Sequence, residues 1–157
     1  MYLGIQDYLS ADNYTDAIIA TDVQEREGPH PFPHQAGPEY DFLSDNYKLP
    51  IDTNVDYIIM NPPYSTIEPF TIRALEIAEK GVLMLARLQF LEGKSRYENI
   101  LKDNPPTDIY IYVDRIKCFK NGDESDTSSS AQAYAWYWWD LTQKEKTESK
   151  VHWIRRK

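Results

Sequence analysis

A chain of 157 residues with a net charge of −8 is long enough for one domain with a single core and too acidic to grip polyanions over its whole surface. No apolar run approaches the roughly 18–20 residues of a membrane span, and no basic, signal-like segment opens the chain, so the expected setting is soluble and cytoplasmic. Cys118 is the sole cysteine, which excludes an internal disulfide and a cysteine-rich zinc site.

In chain order, Leu3, Ile5, Tyr8 and Leu9 fit a short amphipathic helix ending near Asn13. "AIIATD" (Ala17 to Asp22) has the pattern of a buried strand closing on an acid. The next segment, "VQEREGPHPFPHQAGPEYD", is rich in proline and glycine and reads as a loop. It contains His30 and His34, but the prolines of "HPFPH" prevent the helix that would aim both rings at one metal, so no metal site is expected. "DFL" (Asp41 to Leu43) reads as a very short strand and "VDYIIM" (Val55 to Met60) as a stronger one.

Beyond "NPPYS", residues Ile67, Phe70, Ala74, Ile77 and Ala78 recur at helical spacing, with Ser65 and Glu68 as a capping box and Gly81 as the stop. "GVLMLARL" reads as a buried strand, and "FLEGKSRYENILKDNPP" as a loop with a short helix ended by Pro105 and Pro106. "DIYIYVDRIKCF" and "AQAYAWYWWD" are β-rich runs on either side of a polar segment, with residues 121–132 expected to form a flexible hairpin loop. Tyr134, Trp136 and Trp138 alternate with Ala135, Tyr137 and Trp139, so both faces of that strand are aromatic and are read as sheet packing. Residues 142–157 read as a charged, partly helical tail. Alternating strands and helices argue for an α/β fold with a mainly parallel sheet and an antiparallel hairpin at its C-terminal end, in a single domain spanning residues 1–157.

Asn61 to Tyr64 would occupy the carboxyl end of the strand Val55–Met60, where such sheets bind ligands. Prolines fix φ and lack an N–H. The Asn61 side-chain carbonyl and a rigid backbone carbonyl from Pro62 or Pro63 could together accept both hydrogens of a planar –NH2 group. That grip would make the nitrogen more nucleophilic without prior removal of a proton. Tyr64 adds a flat face on which a base could stack. The combination suits transfer of an electrophilic group onto an exocyclic amine.

"NPPY" after an apolar strand resembles the catalytic motif of the S-adenosylmethionine-dependent amino methyltransferases, above all the N6-adenine DNA methyltransferases. Further segments fall in that family's order, from about Ala17 to Trp139. "IIATDV" resembles the strand whose terminal acid, here Asp22, binds the cofactor ribose. "YDFLSD" resembles the motif that contacts the cofactor adenine, implying roles for Asp41 and Phe42. "GVLMLARLQFLEG" looks like the strand and loop after the catalytic motif. "DRIKCF…AYAWYWW" resembles the terminal hairpin, in which an aromatic such as Phe119 can touch the extruded base. The resemblance implies a Rossmann-like methyltransferase fold, S-adenosylmethionine as cofactor and DNA, or RNA, as substrate. For Asp22 and Asp41 a solvated strand end is the competing reading, and for Phe119 a hydrophobic anchor beneath the loop.

Two features of the family are absent from the sequence. Its opening strand and Gly-rich cofactor loop have no counterpart before "AIIATD", with Gly4 at best a remnant. The missing strand would sit at the centre of the sheet, beside the one ending at Asn61, and a gap there would leave backbone groups unpaired. No separate recognition module is expected within these 157 residues either. Charge is spread unevenly: residues 1–79 balance at −11, residues 80–120 at +3 and residues 121–157 at zero. The candidate nucleic-acid face is therefore Arg87, Lys94, Arg96, Arg115, Lys117 and Lys120, with ordinary solvated loop charges as the alternative.

Three readings follow. The first is an N6-adenine DNA methyltransferase of phage or mobile-element type. The second is a degenerate relative that acts as a binding, decoy or regulatory protein. The third is one half of a split enzyme, or a homodimer, whose partner chain completes the sheet. Cofactor binding by the isolated chain is expected to be weak or absent.

Overall fold

Strand-forming residues cluster in the second two-thirds of the chain, and there they build one sheet. The computed structural model describes residues 18–25, 34–47, 55–116, 132–143 and 148–155. The predicted N-terminal helix, His30, Lys117, Phe119, Lys120 and all of the predicted flexible loop except Gln132 lie outside the described residues. The chain divides into two compact units, Met1–Thr53 and Asn54–Lys157, with a mixed α/β architecture.

In the first unit, β1 (Ala20–Asp22) pairs in parallel with β2 (His34–Ala36), Ala20 facing His34 and Asp22 facing Ala36. The strand β2 and a 3₁₀ turn at Pro38–Tyr40 occupy the segment that sequence reasoning reads as loop throughout. Gly37 explains the turn between them: its φ of 147° favours glycine, and its N–H donates to the Asp22 carbonyl at 3.2 Å. Asp41 to Leu43, expected as a short strand, forms a turn instead, because the Asp41 carboxylate accepts the Leu43 N–H at 3.1 Å and closes the backbone on itself.

The second unit is a five-stranded sheet of β3 (Val55–Met60), β4 (Ala78–Arg87), β5 (Asp108–Tyr112), β6 (Tyr134–Asp140) and β7 (Lys150–Ile154). Its order is β3-β4-β6-β5-β7. The β3–β4 and β5–β7 pairs are parallel, and β6 runs antiparallel to both its neighbours. The sheet is therefore mixed. Its β5–β6 pair is the antiparallel hairpin expected from the sequence, extended by a bridge between Ile116 and Gln132.

Helix α1 (Ile67–Ile77) crosses from β3 to β4 and packs on β4. Its first turn differs from the predicted capping box: Thr66 is the N-cap, and Glu68 accepts from Ser95 Oγ at 2.9 Å and Asn99 Nδ2 at 2.5 Å. Pro69 sits in the first turn, where its missing N–H costs nothing. The helix also ends earlier than Gly81. Ala78 is already extended, with φ −73° and ψ 136°, so helix passes into strand with no connecting loop. Gly81 lies inside β4 for a packing reason, since a Cβ there would stand 2.1 Å from the Trp138 ring.

One face of the sheet carries the core. Val82, Met84 and Ala86 of β4, Ala135, Tyr137 and Trp139 of β6, and Ile109 of β5 are buried, as are Ile67, Thr71 and Ala74 of α1. Phe90 stands edge-on to Tyr137 at 5.0 Å and to Trp139 at 6.2 Å. Each large apolar side chain so buried contributes about 1.5–3 kcal/mol. The polar tips find partners: Tyr137 Oη donates to the Arg87 carbonyl at 3.1 Å and Trp139 Nε1 to the Asn104 carbonyl at 3.0 Å.

The tail is the clearest departure from expectation. Lys150–Ile154 is not helical but a fifth strand. Thr107 holds it in line: its carbonyl accepts the Lys150 N–H at 2.9 Å, while its N–H donates to the Trp138 carbonyl at 2.7 Å. His152 Nε2 meets Asp108 Oδ1 at 2.7 Å, and its ring stacks on Tyr110 at 4.7 Å.

Candidate functional site

Among the described residues β3 is an edge strand, and the chain leaves it through Asn61-Pro62-Pro63. Pro62 is buried and Asn61 is exposed, so the first proline anchors the bend while the amide before it faces outward from the core. Pro63 has φ −57° and ψ 137°, an extended conformation the ring favours. Its carbonyl accepts the Thr66 N–H at 3.1 Å and the Thr66 hydroxyl at 3.4 Å. Of the two proline carbonyls, then, that of Pro63 is engaged in the 3₁₀ turn Tyr64–Thr66. Among the described residues, neither the Pro62 carbonyl nor the Asn61 side chain makes a hydrogen bond. The pair able to accept two amine hydrogens is Asn61 Oδ1 with Pro62 O.

Tyr64 is 39% exposed and anchored from behind. Its hydroxyl shares a hydrogen bond with that of Tyr134, which is buried at the start of β6. Arg87, the last residue of β4 and the register partner of Tyr134, places its guanidinium carbon 4.1 Å from the Tyr64 ring centroid. A cation over the ring face is attractive by about 0.5–2 kcal/mol. The Tyr134 hydroxyl beside the guanidinium holds Arg87 still further above its usual range, so its charge is permanent. Tyr64, Arg87, Gln89, Phe90, Ile67 and Arg96 line a cavity of about 160 Å³. A larger cavity of about 270 Å³ is lined by Ile72, Leu75, Glu76, Asn99, Ile100 and Asn104 and shares no residue with the strand-end bend.

The predicted cations have different surroundings. Arg87 is half-buried on Tyr64. Arg96 is a clamp on the chain after β4: it donates Nε to the Phe90 carbonyl at 2.9 Å and Nη2 to the carbonyls of Gln89, at 3.2 Å, and Glu92. Gly93 leaves room for it, having φ 108° and only 2.9 Å between a would-be Cβ and Arg96 Nη2. Lys94 and Arg115 are exposed.

Asp22 and Asp41 both belong to the first unit, where the Gly37-to-Asp22 hydrogen bond draws the segment leading to Asp41 against the end of β1. Each carboxylate accepts a backbone N–H two residues on, Gln24 for Asp22 at 3.0 Å and Leu43 for Asp41 at 3.1 Å. Phe42 stands edge-on to Tyr47 at 5.3 Å.

Tyr134 is the participant that sequence reasoning misses, since a tyrosine in an aromatic strand reads as packing. Its start-of-strand position opposite a cationic strand end is the signal, visible only once β4 and β6 are paired. No family model matches the chain, and a search of characterised proteins finds no match either. Among the described residues no group of three His, Cys, Asp or Glu side chains could hold a metal ion, and no helix is long and apolar enough to cross a membrane.

Proposed function

We propose that this chain is an amino methyltransferase of the N6-adenine DNA type. The observation that carries the reading is the pair of unengaged acceptors, Asn61 Oδ1 and Pro62 O, on a rigid bend at the carboxyl end of β3. Two neutral oxygens of this kind accept both hydrogens of an exocyclic –NH2, hold it in place and favour its lone pair over conjugation with the ring. S-adenosylmethionine supplies the electrophilic methyl group when bound. The Tyr64 ring, steadied by Tyr134 and Arg87, offers the purine a stacking face. The adenine must leave its helix to reach the bend, and the proton released on transfer passes to solvent at the exposed Asn61.

One further observation favours a second chain as a component of the active form. Among the described residues β3 pairs only with β4, and Tyr57 and Ile59 on it are 56% and 53% exposed. The family resemblance puts its missing strand beside this same edge.

Titration with S-adenosylmethionine, followed by methyl transfer to adenine-containing DNA, tests the proposal. The expected result, weak in the isolated chain and stronger once a second chain completes the site, is transfer that Asn61→Ala lowers by about 10²-fold or more without changing the circular dichroism. Cofactor binding only after a second chain is added supports the split form. Transfer undiminished in Asn61→Ala, or no binding under either condition, overturns the enzymatic reading and leaves a binding protein.

A further inference from the structure

The strand β7 changes what lies along the carboxyl edge of the sheet. β3, β4, β5 and β7 run in one direction, so their carboxyl ends share that edge. In sheet order it carries Asn61 after β3, Arg87 closing β4, Arg115 beyond β5 and Arg155 after β7. Strands lie about 4.8 Å apart, so the four steps from β3 to β7 cover about 19 Å.

At the far end the surface changes character. Trp153 is 70% exposed, the most open large hydrophobic side chain among the described residues. It faces Ile111 in register, next to Val113, which is 55% exposed and whose N–H donates to the Ile154 carbonyl at 3.0 Å. Arg115 and Arg155 are exposed and make no ion pair among the described residues. Within residues 148–157 one acid, Glu148, stands against Lys150, Arg155, Arg156 and Lys157. Among the described residues, two exposed arginines thus share this edge with an indole that the core does not use. Tryptophan flanked by unpaired arginines suits a polymer with flat, unstacked rings and regularly spaced negative charge.

We propose that the carboxyl end of β7, with Trp153 as a stacking platform and Arg115 and Arg155 as phosphate contacts, binds single-stranded nucleic acid. Its role toward Asn61, about 19 Å away by strand spacing, rests on the methyltransferase reading, under which this edge tracks the strand flanking the target base. The binding itself does not depend on that reading.

The test is fluorescence anisotropy of labelled single-stranded oligonucleotides, deoxyribo and ribo forms of one sequence, with the full chain and no cofactor. Wild type is expected to bind at least one form and to lose affinity steeply with salt. Trp153→Ala should weaken binding about tenfold or more and Trp153→Phe far less. Arg155→Ala and Arg115→Ala should each lower the salt slope by about one. The proposal is overturned by wild-type protein that binds neither form at low salt, or by variants that bind like wild type. It is equally overturned by sedimentation showing a dimer that Trp153→Ala dissolves, because the indole then belongs to an interface between copies. Trp153-dependent binding with no methyl transfer, either by the chain alone or after a second chain is added, would refute the enzymatic reading alone. Transfer with binding indifferent to Trp153 would refute only this one.

Discussion

Tyr64 and Tyr134, 70 residues apart in the chain, join their hydroxyls in one hydrogen bond. Arg87 closes the figure, its guanidinium lying over the Tyr64 ring and beside the Tyr134 hydroxyl. Three strands therefore meet at a single aromatic ring, with β3 leading into it, β4 ending above it and β6 beginning beneath it. Tyr134→Phe keeps the packing and removes the bond. It should cost about 1 kcal/mol of stability and, under the function proposed above, slow methyl transfer several-fold. Urea denaturation and single-turnover rates measure both, and a variant unchanged in either would deny the bond a positioning role.

Gly81 is required by its neighbour. A methyl group at this position meets the Trp138 ring at 2.1 Å, so Gly81→Ala should destabilise the fold by about 1–3 kcal/mol. Pairing it with Trp138→Val should recover part of the loss, and the two midpoints in urea give the comparison. Equal stability of wild type and Gly81→Ala would mean that the indole moves aside freely.

Burial holds the Tyr137 phenol well above its ordinary value of 10.0. In the unfolded chain this phenol ionises near pH 10, whereas in the fold it stays protonated. The unfolded state therefore binds fewer protons above that pH, and stability falls as pH rises through it. Tyr137→Phe should lose about 1 kcal/mol at neutral pH, with the bond to the Arg87 carbonyl, and should show a shallower decline above about pH 10. Denaturation midpoints on either side of that pH distinguish the two slopes.

Arg96 tests the chain after β4. Removing the guanidinium frees the carbonyls of Gln89, Phe90 and Glu92 together. Arg96→Ala should cost about 2 kcal/mol and open residues 88–93 to limited proteolysis. Arg96→Lys should behave much the same, since one ammonium cannot reproduce the planar fork. Full protection in the lysine variant would count against the clamp.

Much of the fold was legible because one-dimensional patterns carry it. The apolar run before Asn61, the helical spacing from Ile67 and the paired aromatic runs all became elements near their expected places. What escaped depended on partners distant in sequence. Gly81 resembles a helix stop until Trp138 is set against it. His34 to Ala36 is too short and too polar to announce a strand, and exists as one by pairing with Ala20 to Asp22. Val151 to Ile154 did carry β-forming residues, but the charges before them masked the signal. At the candidate site the bend was readable from its prolines. The difference between the two proline carbonyls was not, because it is set by Thr66.

The direct passage from Ile77 to Ala78 couples helix and strand as a rigid shaft couples two gears. One residue added at this joint would either turn α1 by about 100° or exchange the two faces of β4, setting Val82, Met84 and Ala86 outward. Side chains around the joint can vary while the count of residues cannot. Spacing from Ile67 to Arg87 is thereby held as tightly as the packing at either end.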